Sequence, residues 1–505
     1  MMGKKKLDSK LFYSLCLEDL VPEDHIVREL EKTVDLDFVR DLCKDYYSHT
    51  GQPSVDPIVI FKMMLLGYFY GIVSERRLAE DCGLNLAFRW YIGYDFDEPT
   101  PHHSVLSKAR ARFGKKVFEE FFNRILKICV EKGLVKGEKL FADGSLIRAN
   151  ASIKSLIPRE DAPIISVSPQ EYVKRVFEEN PVYPPDDVDN DEIKKHNNDS
   201  VGMNGTSLYK ANNKDTLQHR DPPRVFRASY RKKHKSNLDY MSKTDPESSY
   251  VYRPGMGRKF CYKNHLTVDS HGRVITAVVV TPGAVPEDHV LEELLDKQPV
   301  EVKEVCADSQ YGSAQNYALC WRRGIKPSIP KRTAPRKKNL LPVEKFVYDS
   351  EKDRYICPNG KELRRLTYEK KTRRWHYRPR VKDCRICPLK QSCCPTTQIR
   401  SLVRPVEQVY IDKAMKWLQT EKAKSSLKVR SLYIEWIFAE AKTLHGLEKI
   451  HYRGLEKATI QGLMTASVQN IKRLVTEIRR NEKALKLFFR WFFKKSTMGT
   501  NCIPA

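Results

Sequence analysis

Acidic side chains are in short supply: 64 Asp and Glu stand against 90 Lys and Arg, which leaves a net charge of +26. That deficit argues against an acidic partner and points to a polyanion. The basic excess runs along the whole chain and accompanies aromatic residues in RRWHYRPRVK (Arg373–Lys382) and FFRWFFKK (Phe488–Lys495). Nucleic acid is favoured over a membrane surface, since no long basic amphipathic stretch stands alone. Long apolar runs are missing too. The best candidate, PIVIFKMMLLGYFYGIV (Pro57–Val73), is short, holds Lys62 and two glycines, and reads as a buried helix, so no membrane partner is expected. The opening MMGKKKLDSKLFYS has lysines but no apolar segment behind them, unlike a secretory signal, so the expected location is the cytoplasm, with the nucleoid. The 13 cysteines are odd in number and mostly solitary in apolar surroundings, which suits reduced thiols and argues against a disulfide framework.

What is present reads as several domains, because 505 residues with 41% hydrophobic content can bury real cores. Residues 1–137 look all-helical. SERRLAEDCG starts at a Ser cap, and HSVLSKARARFGKKVFEEFFNRILKICVEKG is amphipathic, with a basic face around Lys108, Arg110 and Arg112 that suits a helical DNA-binding module. After Gly137 the pattern changes to strands: KLFADGS, then the hairpin KFCYKNHLTVDSHGRVITAVVVTPG turning at DSHG, the helix DHVLEELLDK, the strand VKEVCADSQYG, the helix AQNYALCWRRG and the strand IKPSIP. The order is β, then β-β-α-β-α-β, an α/β class with one mixed sheet flanked by helices. Its core is divided between 138–152 and 258–330 by an insertion at 153–257, rich in Pro, Asn and charge, much of which is expected to be loop or poorly ordered. A Cys-rich insertion at 331–403 follows, then C-terminal helices at 404–505.

Asp143 and Asp308 occupy matching contexts, LFADGS and VCADSQYG, each at the end of a strand of that sheet. Two carboxylates at neighbouring strand ends make an oxygen-rich pocket suited to a hard divalent cation. A third ligand is expected from a later helix. Glu435 lies between Ile434, Trp436 and Ile437, where an acid is costly without a partner, and Phe438, Ala439 and Lys442 follow it on one helical face. Glu440 points away from that face and reads as an exposed glutamate.

The chain resembles the DDE transposases of bacterial insertion sequences, in the broad insertion-sequence-four-like group. The resemblance rests on GQPSVDPIVIFKMMLLGYFYGIVSERRL, PTPHHSVLSKARARFG, FADGSLIRANAS, TDPESSYVYRPGMGRKFCYKNHLTVD, ADSQYGS, YICPNGKEL, CRICPLKQSC and RSLYIEWIFAEAK with HGLEKIHYRGLEK, which span nearly the whole chain in order. It implies an RNase H-like core whose acid triad is Asp143, Asp308 and Glu435, with Arg430 and Lys442 on phosphates near the scissile bond. A tyrosine common in the family one turn before that arginine is replaced by Leu427. The implied chemistry uses two Mg²⁺ or Mn²⁺ ions to cut duplex DNA at the element's terminal inverted repeats, and the exposed 3′-hydroxyl then attacks target DNA. Joining two ends implies a homodimer on DNA.

Cys357 in CPNG and the CxxC of Cys384 and Cys387, with Cys393 or Cys394, supply four sulfurs for one structural zinc, which fits both the spacing and the family. His265 and His445 read as core or capping residues, although His265 lies on the strand beside Asp143. Two other functions compete: a DNA-binding regulator leaves the acids without a purpose, and a structure-specific nuclease of the same fold leaves the extra domains without one.

Overall fold

The computed structural model describes residues 15–47, 54–159, 237, 239–332 and 340–497. Helices α1–α7 (Leu17–Leu20, Ile26–Thr33, Phe38–Cys43, Pro57–Phe69, Glu75–Leu84, Leu86–Ile92 and Ser104–Glu131) build the N-terminal part. The apolar run forms α4, capped by Asp56 through the Ile58 amide and opened by Pro57. Apolar on all sides, α4 is a core helix: Phe61 is fully buried against Phe113, Phe118 and Phe121 of α7. Truncating such a phenylalanine costs about 3–5 kcal/mol. Ser74 caps α5 as its sequence suggests. Gly114, at φ 60°, breaks α7 in two, and the freed Lys115 amide donates to Glu456. No helix among the described residues is long and apolar enough to cross a membrane.

The strands fall where the apolar runs lie: β1 (Leu140–Arg148), β5 (Gly257–Asp269), β6 (Ile275–Pro282), β7 (Glu304–Cys306) and β8 (Lys326–Ser328). Their order is β6-β5-β1-β7-β8, antiparallel from β6 to β1 and parallel from β1 to β8, which is an RNase H-like sheet. Helices α8 (Leu291–Asp296) and α9 (Ala314–Arg322) link the later strands. Every residue of β6 is buried, as expected of a strand covered on both faces.

Most of the insertion, residues 160–236 among them, lies outside the described residues, so the expectation of loop there is not addressed. Its described flanks are more regular than expected. They form β2 (Leu156–Pro158) paired with β3 (Tyr240–Ser242), and β4 (Ser249–Arg253) extends the main sheet along the first half of β5.

The Cys-rich region is a separate antiparallel sheet, β9 (Val347–Asp349), β10 (Arg354–Ile356), β11 (Glu362–Glu369), β12 (Arg374–Arg378) and β13 (Leu402–Pro405), with short helices α10 (Val381–Arg385) and α11 (Lys390–Cys393). The chain then forms α12 (Gln408–Leu418), α13 (Glu421–Leu444) and α14 (Leu455–Thr497). Helix α14 packs on α7, α4 and β6, so one apolar helix ties the N-terminal part to the sheet.

Candidate active site

Strands β1 and β7 run parallel with Phe141 opposite Cys306, so two residues further on Asp143 and Asp308 leave the sheet at the same level. The chain after Asp308 turns at once into a 3₁₀ segment, Ser309–Tyr311, and one Asp308 oxygen accepts the Gln310 amide at 2.8 Å. Asp143 accepts its neighbour's amide, from Gly144, at 2.8 Å. Gly144 is needed for a close approach: a Cβ there would meet His265 Nδ1 at 2.9 Å across the β1–β5 ladder.

A third carboxylate joins them, and it was not foreseen. Glu287 stands in the turn after β6, and oxygens of Asp143, Glu287 and Asp308 all lie within 4.8 Å of one another. Lys263 of β5 holds it, with Nζ 3.3 Å from the Glu287 carboxylate and 3.1 Å from the Val285 carbonyl. The other Glu287 oxygen is buried without a hydrogen-bond partner among the described residues. Burial, aided by the charges of Asp308 and Asp143 and opposed by Lys263, pushes the Glu287 carboxyl up to about 7. Burial likewise raises Asp143, against the pull of Arg430. Crowded carboxylates that resist ionisation are what a divalent cation relieves, and an all-oxygen donor set suits Mg²⁺ or Mn²⁺.

Glu435 is outside this group. It is exposed on α13, the helix that crosses β1. On either side of it the helix is anchored to β1: Arg430 donates to Asp143 at 3.0 Å, and Lys442 to Ser145 at 2.7 Å. By the helical repeat Glu435 lies within about 20° of Lys442 and about 140° from Arg430. Burial lowers the Lys442 ammonium pKa, with Arg253 adding to the effect.

Two sequence expectations need correction. Glu440 is not an exposed glutamate: it is 6% exposed and binds Arg473 at 2.6 Å, Gln469 at 3.1 Å and Lys472. Glu440 does point away from the face of Glu435, but α14 covers the face it occupies. Arg110 does not belong to an exposed basic surface: it is 5% exposed, paired with Glu75 and stacked on Tyr452 at 4.2 Å. Lys108 and Arg112 are exposed, the latter 5.1 Å over Tyr47. His265 does lie next to the acid group but is a core residue, fully buried between Thr281 and Tyr311, and burial keeps it neutral. His445 is a capping residue, accepted by the Tyr68 carbonyl at 2.7 Å.

The cysteines gather at one end of the second sheet. Asn359, in the Cys357 turn, reaches the Cys387 sulfur at 3.5 Å, and the raised Cys384 thiol, mainly an effect of burial, also has Cys394 as a hydrogen-bonding neighbour. Cys393 and Cys394 are both buried. Among the described residues the acidic group is the one set of three or more ligand atoms that all lie within 4.8 Å of one another.

Residues 15–112 match a family model described as a transposase domain (DUF772), and residues 356–475, which carry β11–β13 of the second sheet and α13, match a transposase DDE domain. Both matches are to transposase domains, the second of the DDE type, and they cover separate parts of the chain. A comparison with curated proteins finds no match. Among solved structures, a piggyBac transposase synaptic complex with hairpin DNA aligns over 90% of this chain and 73% of its own, at 10% identity and a TM-score of 0.30.

Proposed function

We propose that this transposase binds the terminal inverted repeats of its own insertion sequence, cuts the phosphodiester at each end and joins the exposed 3′ ends to target DNA, acting as a homodimer on duplex DNA. The observation that carries the reading is the convergence of Asp143 and Asp308 from parallel strands into an acid group beneath a helix armed with Arg430 and Lys442. Asp143, Asp308 and Glu435 are the proposed catalytic acids, and Glu287 adds an oxygen beside Asp143 and Asp308. Two divalent cations held by these carboxylates would supply the positive charge that activates the attacking oxygen and stabilises the leaving one. Arg430 and Lys442 neutralise phosphate oxygens beside the scissile bond, and Arg430 exchanges its Asp143 partner for phosphate when DNA enters.

The Cys357, Cys384 and Cys387 thiols with Cys393 or Cys394 are proposed to hold one structural zinc that fixes the second sheet. A second reading, a structure-specific nuclease, is favoured by one feature: the acid group closes without Glu435. The test is strand-specific cleavage and joining of element-end DNA with Mg²⁺. Wild-type protein is expected to leave a 3′-hydroxyl and to produce strand-transfer products, and Asp143→Asn to bind the ends without cutting. Cutting without any joining would favour the nuclease.

A further inference from the structure

The second sheet carries charge that its own fold does not balance. In β12 and the two residues after it, apolar and basic side chains alternate. Tyr377 and Pro379 are buried, whereas Arg374, Arg378 and Arg380 are exposed. Successive outward positions of a strand are about 6.6 Å apart, so Arg374 and Arg378 stand about 13 Å apart with His376 between them, and Arg380 follows one position beyond. None of the three makes an ion pair within 4 Å with a described residue. Arg374 is registered opposite Glu369 of β11, whereas Arg378 is registered opposite Arg364, which is registered opposite Arg354 of β10.

Like charges directly opposite on adjacent strands destabilise a sheet, and a solvated antiparallel face ordinarily interleaves signs. Glu362 offsets Arg354 and Arg364, and Glu369 faces Arg374 while also binding Thr372 and His376, so Arg378 and Arg380 are left with no acid within 4 Å among the described residues. The exposed guanidinium groups left without an acid are available to a line of phosphates.

We propose that this β12 strip is a contact surface for the phosphate backbone of duplex DNA, separate from the acid site and independent of base sequence. The inference rests on the DNA-joining reading above for its partner and on the register of the arginines for its location. Phosphate contact by each arginine contributes about 0.9 to the slope of log affinity against log salt.

The test measures binding of the full-length chain to a short duplex of arbitrary sequence across a NaCl series. The variant Arg374→Ala/Arg378→Ala/Arg380→Ala is expected to lower the slope by about 2 to 3 and the affinity at least tenfold near 0.1 M salt. Its thermal midpoint should be unchanged, because all three side chains are exposed. The matching triple lysine variant should keep the slope. Slope and affinity equal to wild type in the alanine variant would overturn the proposal while leaving the DNA-joining reading intact. A slope lost equally in the lysine variant would also overturn it, since charge would not be the cause. Loss of polyglutamate binding with unchanged DNA binding would reassign the strip to an acidic protein and overturn it too. A wild-type chain that binds no duplex at all would instead remove the parent reading.

Discussion

Replacing Glu440 by alanine tests how the helix that carries Arg430, Glu435 and Lys442 is held. Glu440 is 6% exposed, and its partners Arg473 and Lys472 have side chains 15% and 25% exposed. Removing one member of a buried charge pair costs about 3–5 kcal/mol, because the other charge is left uncompensated. Partial exposure of the two cations lets water take over some of the lost interaction, so about 3 kcal/mol is expected. At roughly 2–4 °C per kcal/mol, the transition of the unit containing α13 and α14 should fall by about 6–12 °C. Burial alone would raise the Glu440 carboxyl, but His445, Lys472 and Arg473 together hold it well below 4.5. A depressed carboxyl stabilises the fold above its unfolded pKa and loses that effect as pH falls through the folded value. The gap between wild type and variant should therefore be complete at pH 7 and shrink below about pH 4. Calorimetry at several pH values is the assay. A midpoint within about 1 °C of wild type at pH 7 would refute the clamp.

Glu287→Gln and Glu435→Gln should separate the two candidates for the third acid. If Glu435 is catalytic, its variant loses cleavage outright, whereas Glu287→Gln still cuts but needs more Mg²⁺; the reverse pattern in a Mg²⁺ titration would transfer the role to Glu287. Purified protein should contain about one zinc per chain and lose stability to a strong chelator. Metal analysis without zinc, and stability indifferent to chelator, would remove that site. Asp245 is fully buried, accepts from the Tyr262 hydroxyl at 2.6 Å and from the Gly454 amide at 3.1 Å, and burial pushes its carboxyl up to about 6. The folded chain therefore holds this proton more tightly than the unfolded one, and stability should fall by roughly 3 kcal/mol as pH rises from about 4 to 6. Asp245→Asn should flatten that window in a denaturation series, and an unchanged pH profile would count against the assignment.

The main sheet was legible because its strands are apolar runs bounded by turns: β6 and the DSHG turn before it can be read directly from ITAVVVTP and its flank. The second sheet was not, and the reason is physical. In ELRRLTYE of β11 only Leu363 is buried, so the alternation that marks a strand is carried by arginine, threonine and glutamate instead of apolar side chains. Short edge strands such as β2, β3 and β4 offer three to five residues each, too few for a period to emerge among polar neighbours.

The acid site divides along the same line. Asp143 and Asp308 could be paired from sequence because both follow an apolar strand, and parallel register does the rest. Glu287 follows a strand too, after Pro286, but sequence reading began the next helix at Asp288 and passed over it. What brings Glu287 to the site is a tertiary contact, Lys263 reaching across from β5. Glu440 and Arg110 are the converse case. Local periodicity correctly gives the direction in which each side chain points, but it says nothing about what covers that direction. For Glu440 the cover is α14, with Lys472 and Arg473; for Arg110 it is Glu75 and Tyr452. A charged residue on the apparently polar face of a helix is thus as consistent with a buried ion pair as with solvent, and opposite charges far away in sequence decide between them. The same reasoning strengthens the case for Arg378 and Arg380, which are exposed and make no ion pair within 4 Å among the described residues.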